Sequence, residues 1–400
     1  MNAPRCRCGK LRMWLVCTGI VGVLSTGIVG AQDYQLFGSV ELRSETAHRK
    51  DSTAVTDPAD RNTWHTGSEL HLAATHRFAF ESGELVLDHE IIAEPTVSGS
   101  AGTGSAGIGS GDATEVALTH QLYQAYLSLF AGPSFTATLG RRRINWGKAF
   151  AFSVTDALHP QSPDSEVEPG FDGAVATFLL GPNLSLELAG AVQEASSGDG
   201  AIDDVRGAAY VSAFLAPLDV ALSYVFQHQV INRPGLLMSV PVGPLLFAGE
   251  AGVEIFNSRE DRTELQPLAS IGAEYSIYGI LSEVTARGEY LYNGLAASYP
   301  ASGVSGQVVT NDFAGGFERP GEHYFYGQLS YQMVDSWYTS HALLYNASDR
   351  SAYIEHRIGL VALPGIDLDV AGIWNSGGTD SEFGAVPDDL TIRIAVKGSF

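Results

Sequence analysis

The chain has 400 residues, a formal net charge of −22, 45% hydrophobic residues and only 17% charged residues. This composition excludes a disordered acidic chain, which needs a higher charge density, and a bundle of membrane-spanning helices, which needs longer apolar stretches. The 45 glycines, 16 tyrosines and 18 phenylalanines favour strands and turns over packed helices. We therefore expect an all-β protein.

Residues 1–31 have the pattern of a secretory signal peptide. A basic start is followed by an apolar stretch at 13–29 and by a small-x-small cleavage pattern at 29–31. A membrane anchor is the alternative, but glycines and polar residues interrupt the stretch, and it is short for a spanning helix. We predict cleavage after Ala31, which leaves residues 32–400 as a single domain.

Removal of this segment would change the chemistry of the chain. All three cysteines, Cys6, Cys8 and Cys17, lie within it, so the remainder offers no disulfide, thiolate metal ligand or cysteine nucleophile. Four of the 23 basic residues lie there too, so 19 would remain against 45 acidic residues, a formal charge of −26. Nucleic acid is therefore excluded as a partner, because it needs basic patches.

From residue 32 onward, segments of about ten residues alternate apolar and polar positions, as membrane-spanning strands do. In 84–94 the acidic residues share one face, and Leu85, Leu87, Ile91 and Ala93 share the other. The segments 281–292 and 390–400 likewise alternate apolar with polar residues. Aromatic residues lie near the turns, and tight turns alternate with long polar loops, which favours a membrane barrel over a soluble sandwich. Because every backbone polar group must be paired in hydrocarbon, the sheet has to close.

The turns predict the number of strands. Tight turns lie near Ser82-Gly83, Gly132-Pro133, Gly181-Pro182-Asn183, Pro217, Gly243-Pro244, Gly279, Asp335-Ser336 and Pro364-Gly365. If both termini lie on the side of these turns, the transmembrane antiparallel β-barrel has about 18 strands, with long extracellular loops on the other side. The alternative is 16 strands, with 236–256 folded into the lumen as a loop, because Pro241 is disfavoured in a central strand.

Two segments carry a resemblance to a known class of protein. The last strand ends in Phe400 and resembles the signature that Gram-negative outer-membrane β-barrels present to the barrel-assembly machinery. The segment Gly140-Arg141-Arg142-Arg143-Ile144-Asn145-Trp146-Gly147 resembles a motif of poorly characterised porin-like families. Residues 32–400 thus resemble an outer-membrane porin. The resemblance implies a channel in the bacterial outer membrane that admits small hydrophilic solutes, with lipid and lipopolysaccharide as surroundings.

A ring of 16 to 18 strands is wide enough for a water-filled lumen, which would hydrate charged side chains on its inner face. Acidic walls raise the local concentration of cations, so we predict weak cation preference. The predicted pore-lining residues are Glu69, Arg77, Asp88, Glu90, Glu187, Glu250, Glu254, Glu274, Glu283, Arg287, Glu289, Glu355, Arg357, Asp369 and Arg393.

The basic run at 141–143 has two interpretations. Strict alternation from Leu139 directs Arg141 and Arg143 towards lipid, so either Gly140 marks a bulge that resets the face or the strand has reached the rim there. Arg141, Arg142, Arg143 and Trp146 then form part of a constriction with a transverse field. Alternatively, they form a rim cluster that binds lipopolysaccharide phosphates or pairs with neighbouring acids.

Other chemistries are weaker in this sequence. The acidic residues at 156–172 could hold Ca²⁺, but their spacing fits no EF-hand loop, so a solvated loop is favoured. His71 and His76 point to opposite faces of one strand, and no catalytic constellation is identifiable. We therefore expect no metal, no cofactor and no enzymatic activity. The alternatives are a structural or adhesive barrel with a plugged lumen and a surface hydrolase, and an oligomer is possible.

Overall fold

A computed structural model of the protein describes most of the chain beyond the N-terminal segment. No helix in this part of the chain is long and apolar enough to cross a membrane. The predicted signal peptide, the acidic positions from 156 to 168 and Phe400 lie outside the described residues. The described ranges are 33–50, 62–97, 114–155, 171–193, 204–227, 231–257, 263–280, 282–294, 296, 321–333, 336–363, 365–386 and 388–399.

The described residues form 18 β-strands. Their bounds are β1 (Asp33–Lys50), β2 (Asn62–Phe80), β3 (Gly83–Val97), β4 (Thr114–Phe130), β5 (Phe135–Arg142), β6 (Phe171–Gly181), β7 (Leu184–Gln193), β8 (Asp204–Leu215), β9 (Leu218–Gln227), β10 (Ile231–Val242), β11 (Leu245–Asn257), β12 (Thr263–Tyr278), β13 (Ser282–Asn293), β14 (His323–Met333), β15 (Trp337–Asn346), β16 (Ser351–Leu363), β17 (Ile366–Ser376) and β18 (Asp388–Ser399). Eight short connections join them at one end, at the positions of the predicted tight turns.

The sheet closes on itself. Each strand pairs antiparallel with its neighbours in the chain, and β1 pairs with β18 from Ser39 opposite Ser399 to Arg49 opposite Asp388. The described strands therefore leave no free edge, and their backbone groups pair within the sheet, as a membrane-spanning sheet requires. The prediction of an antiparallel barrel of 18 strands is confirmed.

The alternative of 16 strands is wrong, because 236–256 form most of β10 and β11. These strands pair directly down to Val242 opposite Leu245. Pairing between β10 and β9 ends at Ser239 opposite Asp219, so Pro241 lies beyond the last β9 partner. Its missing N–H therefore removes no hydrogen bond on that side, which is why a proline is tolerated there.

The two faces of the sheet differ as the alternation predicts. In β18, Ile392, Ile394 and Val396 are 41%, 46% and 42% exposed, whereas Ala395 is 7% exposed. In β13, Tyr290 lies on the outer face and packs against Phe325 of β14 in a tilted arrangement, with ring centroids 5.2 Å apart. The outer face is thus largely apolar and the inner face polar, the reverse of a soluble protein.

Candidate functional site

Residues 144–155, which follow β5, cross the interior of the barrel; we call them the inward segment. Near its start, the Trp146 indole donates from Nε1 to Glu187 Oε2 of β7 at 2.7 Å and stacks on Tyr210 of β8 at 5.2 Å. Near its end, Phe152 lies 6.0 Å from Tyr324 of β14. Because β7 and β14 are far apart around the ring, the segment between these contacts has to pass through the lumen.

Glu250 of β11 holds the middle of the inward segment. Its Oε1 accepts hydrogen bonds from the backbone nitrogens of Lys148 and Ala149, the latter at 2.9 Å. Its Oε2 accepts from Thr155, through the backbone nitrogen at 3.1 Å and through Oγ1 at 2.8 Å, and from Ser153 Oγ at 3.2 Å. The Glu250 carboxylate thus accepts hydrogen bonds from both ends of 148–155, a stretch of chain that does not pair with a strand.

Glu289 of β13 is the second anchor. It accepts hydrogen bonds from the backbone nitrogens of Phe150 at 2.7 Å, Ala151 at 2.9 Å and Phe152 at 3.0 Å. Three consecutive N–H groups therefore point at one carboxylate. Such groups would otherwise be buried without partners, which costs about 1–3 kcal/mol each. Glu250 and Glu289 together fix the path of the inward segment.

Apolar packing completes the attachment on both sides. Ile144 and Trp146 pack against a recess of small inward side chains that lie in one cross-strand row. The row consists of Val175, Ala189, Ala208 and Val225. On the opposite side, the buried cluster around Phe152 and Val154 contains Leu268, Leu291, Tyr324 and Leu344. These inner positions are apolar where the segment lies on them, which explains the breaks in the polar inner pattern.

A second stretch of loop also enters the barrel, between β17 and β18. Glu382 Oε2 accepts hydrogen bonds from Tyr324 OH at 2.7 Å and from Asn346 Nδ2 at 2.9 Å. The neighbouring Phe383 is buried in the same cluster as Phe152. The interior of the barrel is therefore narrowed by two loops that share one apolar cluster.

The structure places all fifteen predicted pore-lining residues on the inner face, but three of them are not on an open wall. Glu250, Glu254 and Glu289 are 3%, 1% and 4% exposed. Glu250 and Glu289 lie beneath the inward segment, and Glu254 accepts a hydrogen bond from Arg233 Nη2 at 2.6 Å. The sequence assigned these carboxylates to a hydrated wall because it does not reveal what covers them.

All four arginines of the predicted pore lining lie in ion pairs along the inner wall. Arg287 bonds to Glu274 at 2.5 Å. Arg357 lies 3.0 Å from Glu355 and 3.8 Å from Asp369. Arg77 lies 2.6 Å from Glu84, and Arg393 lies 3.2 Å from Glu45. Two further inner pairs join Arg43 to Glu41 at 3.0 Å and Lys148 to Asp219. Sequence reasoning missed Glu41, Arg43 and Glu45, although their alternation on β1 was the signal to find them.

A hydrogen-bonded network on the inner face links His71 to Glu69 and Glu90, and Glu90 to Tyr123. Nδ1 of His71 lies 2.7 Å from Glu90, and Nε2 lies 2.8 Å from Glu69. Tyr123 OH donates to the other oxygen of Glu90 at 2.5 Å. Tyr123 reaches the lumen because the pairing of β3 with β4 shifts register beside Asp88. His76, by contrast, stacks on His89 on the outer face at 5.5 Å, so His71 and His76 point to opposite faces as predicted.

The three arginines at 141–143 do not form one cluster, because Gly140 keeps the regular register of β5. Pairing is continuous from Gly140 opposite Gly173 to Arg141 opposite Asp172, so the proposed bulge at Gly140 is wrong. Gly140 instead has φ +120°, and a Cβ there would collide with the Ala125 carbonyl oxygen of β4.

Because the face is not reset, Arg141 lies on the outer face. Its Nε and Nη2 donate to the Asp172 carboxylate at 2.9 and 2.5 Å. Arg142 lies on the inner face, where its guanidinium is 5.6 Å from the Tyr126 ring centroid and Nη1 donates to Thr138 Oγ1 at 3.0 Å. Arg143 is exposed, and its backbone nitrogen donates to Gln124 Oε1 at 3.4 Å. Pairing with a neighbouring acid, one of the two interpretations of the cluster, thus applies to Arg141.

The described residues contain no group of three or more His, Cys, Asp or Glu side chains placed to hold a metal ion. Asp172, which the sequence grouped with a possible Ca²⁺ loop, is engaged by Arg141 instead.

No protein-family model matches the chain, and no curated protein matches it. Solved structures do. A BenF-like porin from Pseudomonas fluorescens Pf-5 has a TM-score of 0.56 at 10% identity, over 92% of this chain and 99% of that one. OccAB1 from Acinetobacter baumannii has a TM-score of 0.55 at 10% identity, over 91% and 96% of the two chains. OccK2 (OpdF) from Pseudomonas aeruginosa has a TM-score of 0.55 at 13% identity, over 92% and 98%.

These similarities extend over nearly the whole of each chain, although so few residues are identical. They establish a common fold. The chain therefore has the closed barrel fold of solved porins.

Proposed function

We propose that the protein is an outer-membrane channel for the passive diffusion of small hydrophilic solutes. The observation that carries this proposal is a closed 18-strand barrel with an apolar outer face and a charged inner face. An 18-strand ring leaves space for water between its walls, and the inward segment narrows that space. A hydrated solute would pass between the segment and the uncovered wall, guided by the ion pairs of that wall.

We propose weak cation preference as the finer property of this channel. The arginines at 77, 287, 357 and 393 each face a carboxylate, so their charges are largely balanced. Asp88 contacts neutral groups, Thr75 Oγ1 at 3.1 Å and Gln124 Nε2 at 3.4 Å. Glu283 likewise accepts a hydrogen bond from Thr285 Oγ1 at 3.2 Å. The surplus charge of the wall is therefore negative, which favours cations.

The location and partners follow from the same proposal. The apolar outer face suits hydrocarbon, and the short connections suit the periplasmic side of a Gram-negative outer membrane. We propose that residues 1–31 are removed on export, that Phe400 ends the strand read by the barrel-assembly machinery, and that lipid and lipopolysaccharide surround the barrel.

A barrel that does not conduct is the second candidate, and the buried part of the inward segment favours it. Residues 151–155 are all at most 3% exposed, and Phe383 adds to their cover from the second loop. If this packing blocks the lumen throughout, the long loops would act as a structural or adhesive surface.

Single-channel current of the refolded protein in a planar bilayer under a KCl gradient separates the candidates. Discrete steps with a reversal potential on the cation side support the channel and its preference. Asp88→Asn and Glu283→Gln should each reduce that preference, whereas Asp380→Asn, in the exposed loop before β18, should change it little. Steps with anion preference would retain the channel and contradict the acidic wall. An inserted barrel that never conducts would support the blocked candidate.

A further inference from the structure

Two buried carboxylates hold the inward segment, and neither is paired with a cation. Glu250 and Glu289 are 3% and 4% exposed, and we call them the two anchors. In the described part of the chain, their hydrogen bonds come only from backbone N–H and hydroxyl groups. Glu254 of β11 is also buried but differs, because Arg233 Nη2 donates to it at 2.6 Å. The charge of the two anchors is therefore stabilised by neutral donors.

The groups around Glu250 supply no cation. Lys148 is the basic residue of the inward segment, and its Nζ donates to Asp219 of β9. The residues opposite Glu250 are Leu237 on β10 and Ser270 on β12, and neither side chain ionises in this range of pH. A proton is therefore the counter-charge that remains for Glu250.

The groups around Glu289 supply no cation either. On the same strand, Arg287 donates from Nε to Glu274 of β12 at 2.5 Å. On the neighbouring strands, Gly272 of β12 and Tyr326 of β14 lie opposite Glu289, and neither carries a positive charge. Both anchors thus depend on their own protonation state and on the N–H groups of the inward segment.

Protonation would change what Glu289 can accept. Its Oε2 accepts hydrogen bonds from Phe150 and Ala151, and its Oε1 accepts one from Phe152. A carboxylic acid carries an O–H donor on one oxygen, so that oxygen would present a hydrogen to a backbone donor. The bonds that remain would go to an uncharged acceptor, which binds about half as strongly. Acid would therefore weaken the attachment of 150–152.

The stretch that the two anchors hold borders the open lumen. Residues 147–150 are partly exposed, whereas 151–155 are buried. The Phe150 ring lies against the wall at Gly272, where an added Cβ would come within 2.9 Å of it. The guanidinium of Arg287 is 6.0 Å from the centre of the same ring. Loosening of 148–152 would act on the passage itself, because a chain that is no longer fixed yields to an entering solute.

We propose that Glu250 and Glu289 form a proton-operated latch on the inward segment. When both are ionised, they hold 148–152 against the wall; when acid neutralises them, this stretch is released and the passage widens. The segment stays in the lumen, because Trp146 and Phe152 keep apolar contacts that do not ionise. The attachment is thus complete above the titration of the two anchors and is lost as the pH falls through it. The widening rests on the proposed function, whereas the release of the chain does not.

Hydrogen exchange of the wild-type barrel tests the release directly. Protection of the amides at 148–152, corrected for the intrinsic pH dependence of exchange, should fall by about tenfold between about pH 8 and about pH 4, the factor that a charged acceptor adds to a hydrogen bond. The strand β15, which contains no carboxylate, is the internal reference and should keep its protection. Constant protection at 148–152, or an equal loss in β15, would overturn the proposal.

Exclusion of neutral polymers separates a change of width from a change of wall charge. Polyethylene glycols of graded size, added to the bilayer chamber, should enter the wild-type channel up to a larger size at about pH 4 than at about pH 8. Glu289→Gln should have a larger limit already at the higher pH and should change less in acid. Glu283→Gln is the matched control on β13 and should behave as the wild type, because Glu283 contacts Thr285 and not the segment.

The results distinguish the latch from the channel. An exclusion limit that is equal at both pH values, or an undiminished change in Glu289→Gln, would overturn the latch. A barrel without current at either pH, whose amides at 148–152 still lose protection in acid, would contradict the channel and support the latch.

Discussion

Glu289 Oε2 accepts a hydrogen bond from the backbone nitrogen of Phe150 at 2.7 Å, although 139 positions separate the two residues. The bond joins the wall of the barrel at β13 to the inward segment that follows β5. With Glu250, it determines how far that segment extends into the lumen. The width of the path for solutes thus depends on carboxylates that are themselves hidden from the solutes.

Glu289→Gln should loosen the inward segment and raise the single-channel conductance. The amide nitrogen of glutamine would face backbone N–H groups that need acceptors, so about 1–3 kcal/mol of attachment is lost. Glu283→Gln on the same strand is the control, because Glu283 contacts Thr285 and not the segment. Its conductance should match that of the wild type. Equal conductance in wild type and Glu289→Gln would show that this anchor does not set the width.

Trp146→Phe should destabilise the barrel by about 1–3 kcal/mol, because it removes the donor to the half-buried Glu187 and reduces the contact with Tyr210. Denaturant unfolding of the refolded protein, followed by the remaining tryptophans, measures the change. Glu187→Gln keeps an acceptor for the indole, so its loss should be smaller. A larger loss for Glu187→Gln than for Trp146→Phe would contradict the assigned hydrogen bond.

Arg142→Ala should shift the reversal potential further towards cations, whereas Arg141→Ala should leave it unchanged. Only Arg142 lies on the inner face, where its charge acts on passing ions near Tyr126. Arg141 acts on the outer face beside Asp172. Bilayer recordings under a salt gradient compare the two variants. An equal shift in both would mean that the long-range field of the chain, and not the wall, sets the selectivity.

Arg233→Met should destabilise the barrel by about 3–5 kcal/mol, because it leaves Glu254 buried without its cation. Replacing both partners, with Arg233→Met and Glu254→Leu together, should cost less than either single change. A double-mutant cycle in denaturant measures the coupling between them. Additive effects of the two substitutions would contradict a direct interaction.

The alternation of apolar and polar residues was sufficient to predict the class of fold. Each tight turn has glycine, proline or aspartate between two alternating segments, so the strands, a count of 16 or 18 and the division of faces are local properties. The residues of β13 illustrate this, since Thr285 and Glu289 are buried inside while Ala286 is exposed outside. A period of two places neighbours on opposite faces whatever lies elsewhere in the chain.

The site was less predictable, because its contacts join distant parts of the sequence. Alternation places Glu283 and Glu289 on the same face, yet one lies on the wall and the other beneath the inward segment. Similarly, the run Arg141-Arg142-Arg143 did not reveal that Gly140 keeps its register and sends the first arginine outwards.

The sequence by itself determined an antiparallel barrel of 16 or 18 strands with an apolar exterior and a charged interior, because strand periodicity and turn chemistry act over a few residues. Only the tertiary structure decided that residues 144–155 occupy the lumen, which carboxylates hold them and which wall remains uncovered. Those features depend on closure of the ring, which places β11 and β13 against the segment that follows β5. More than a hundred residues of chain separate β5 from these two strands.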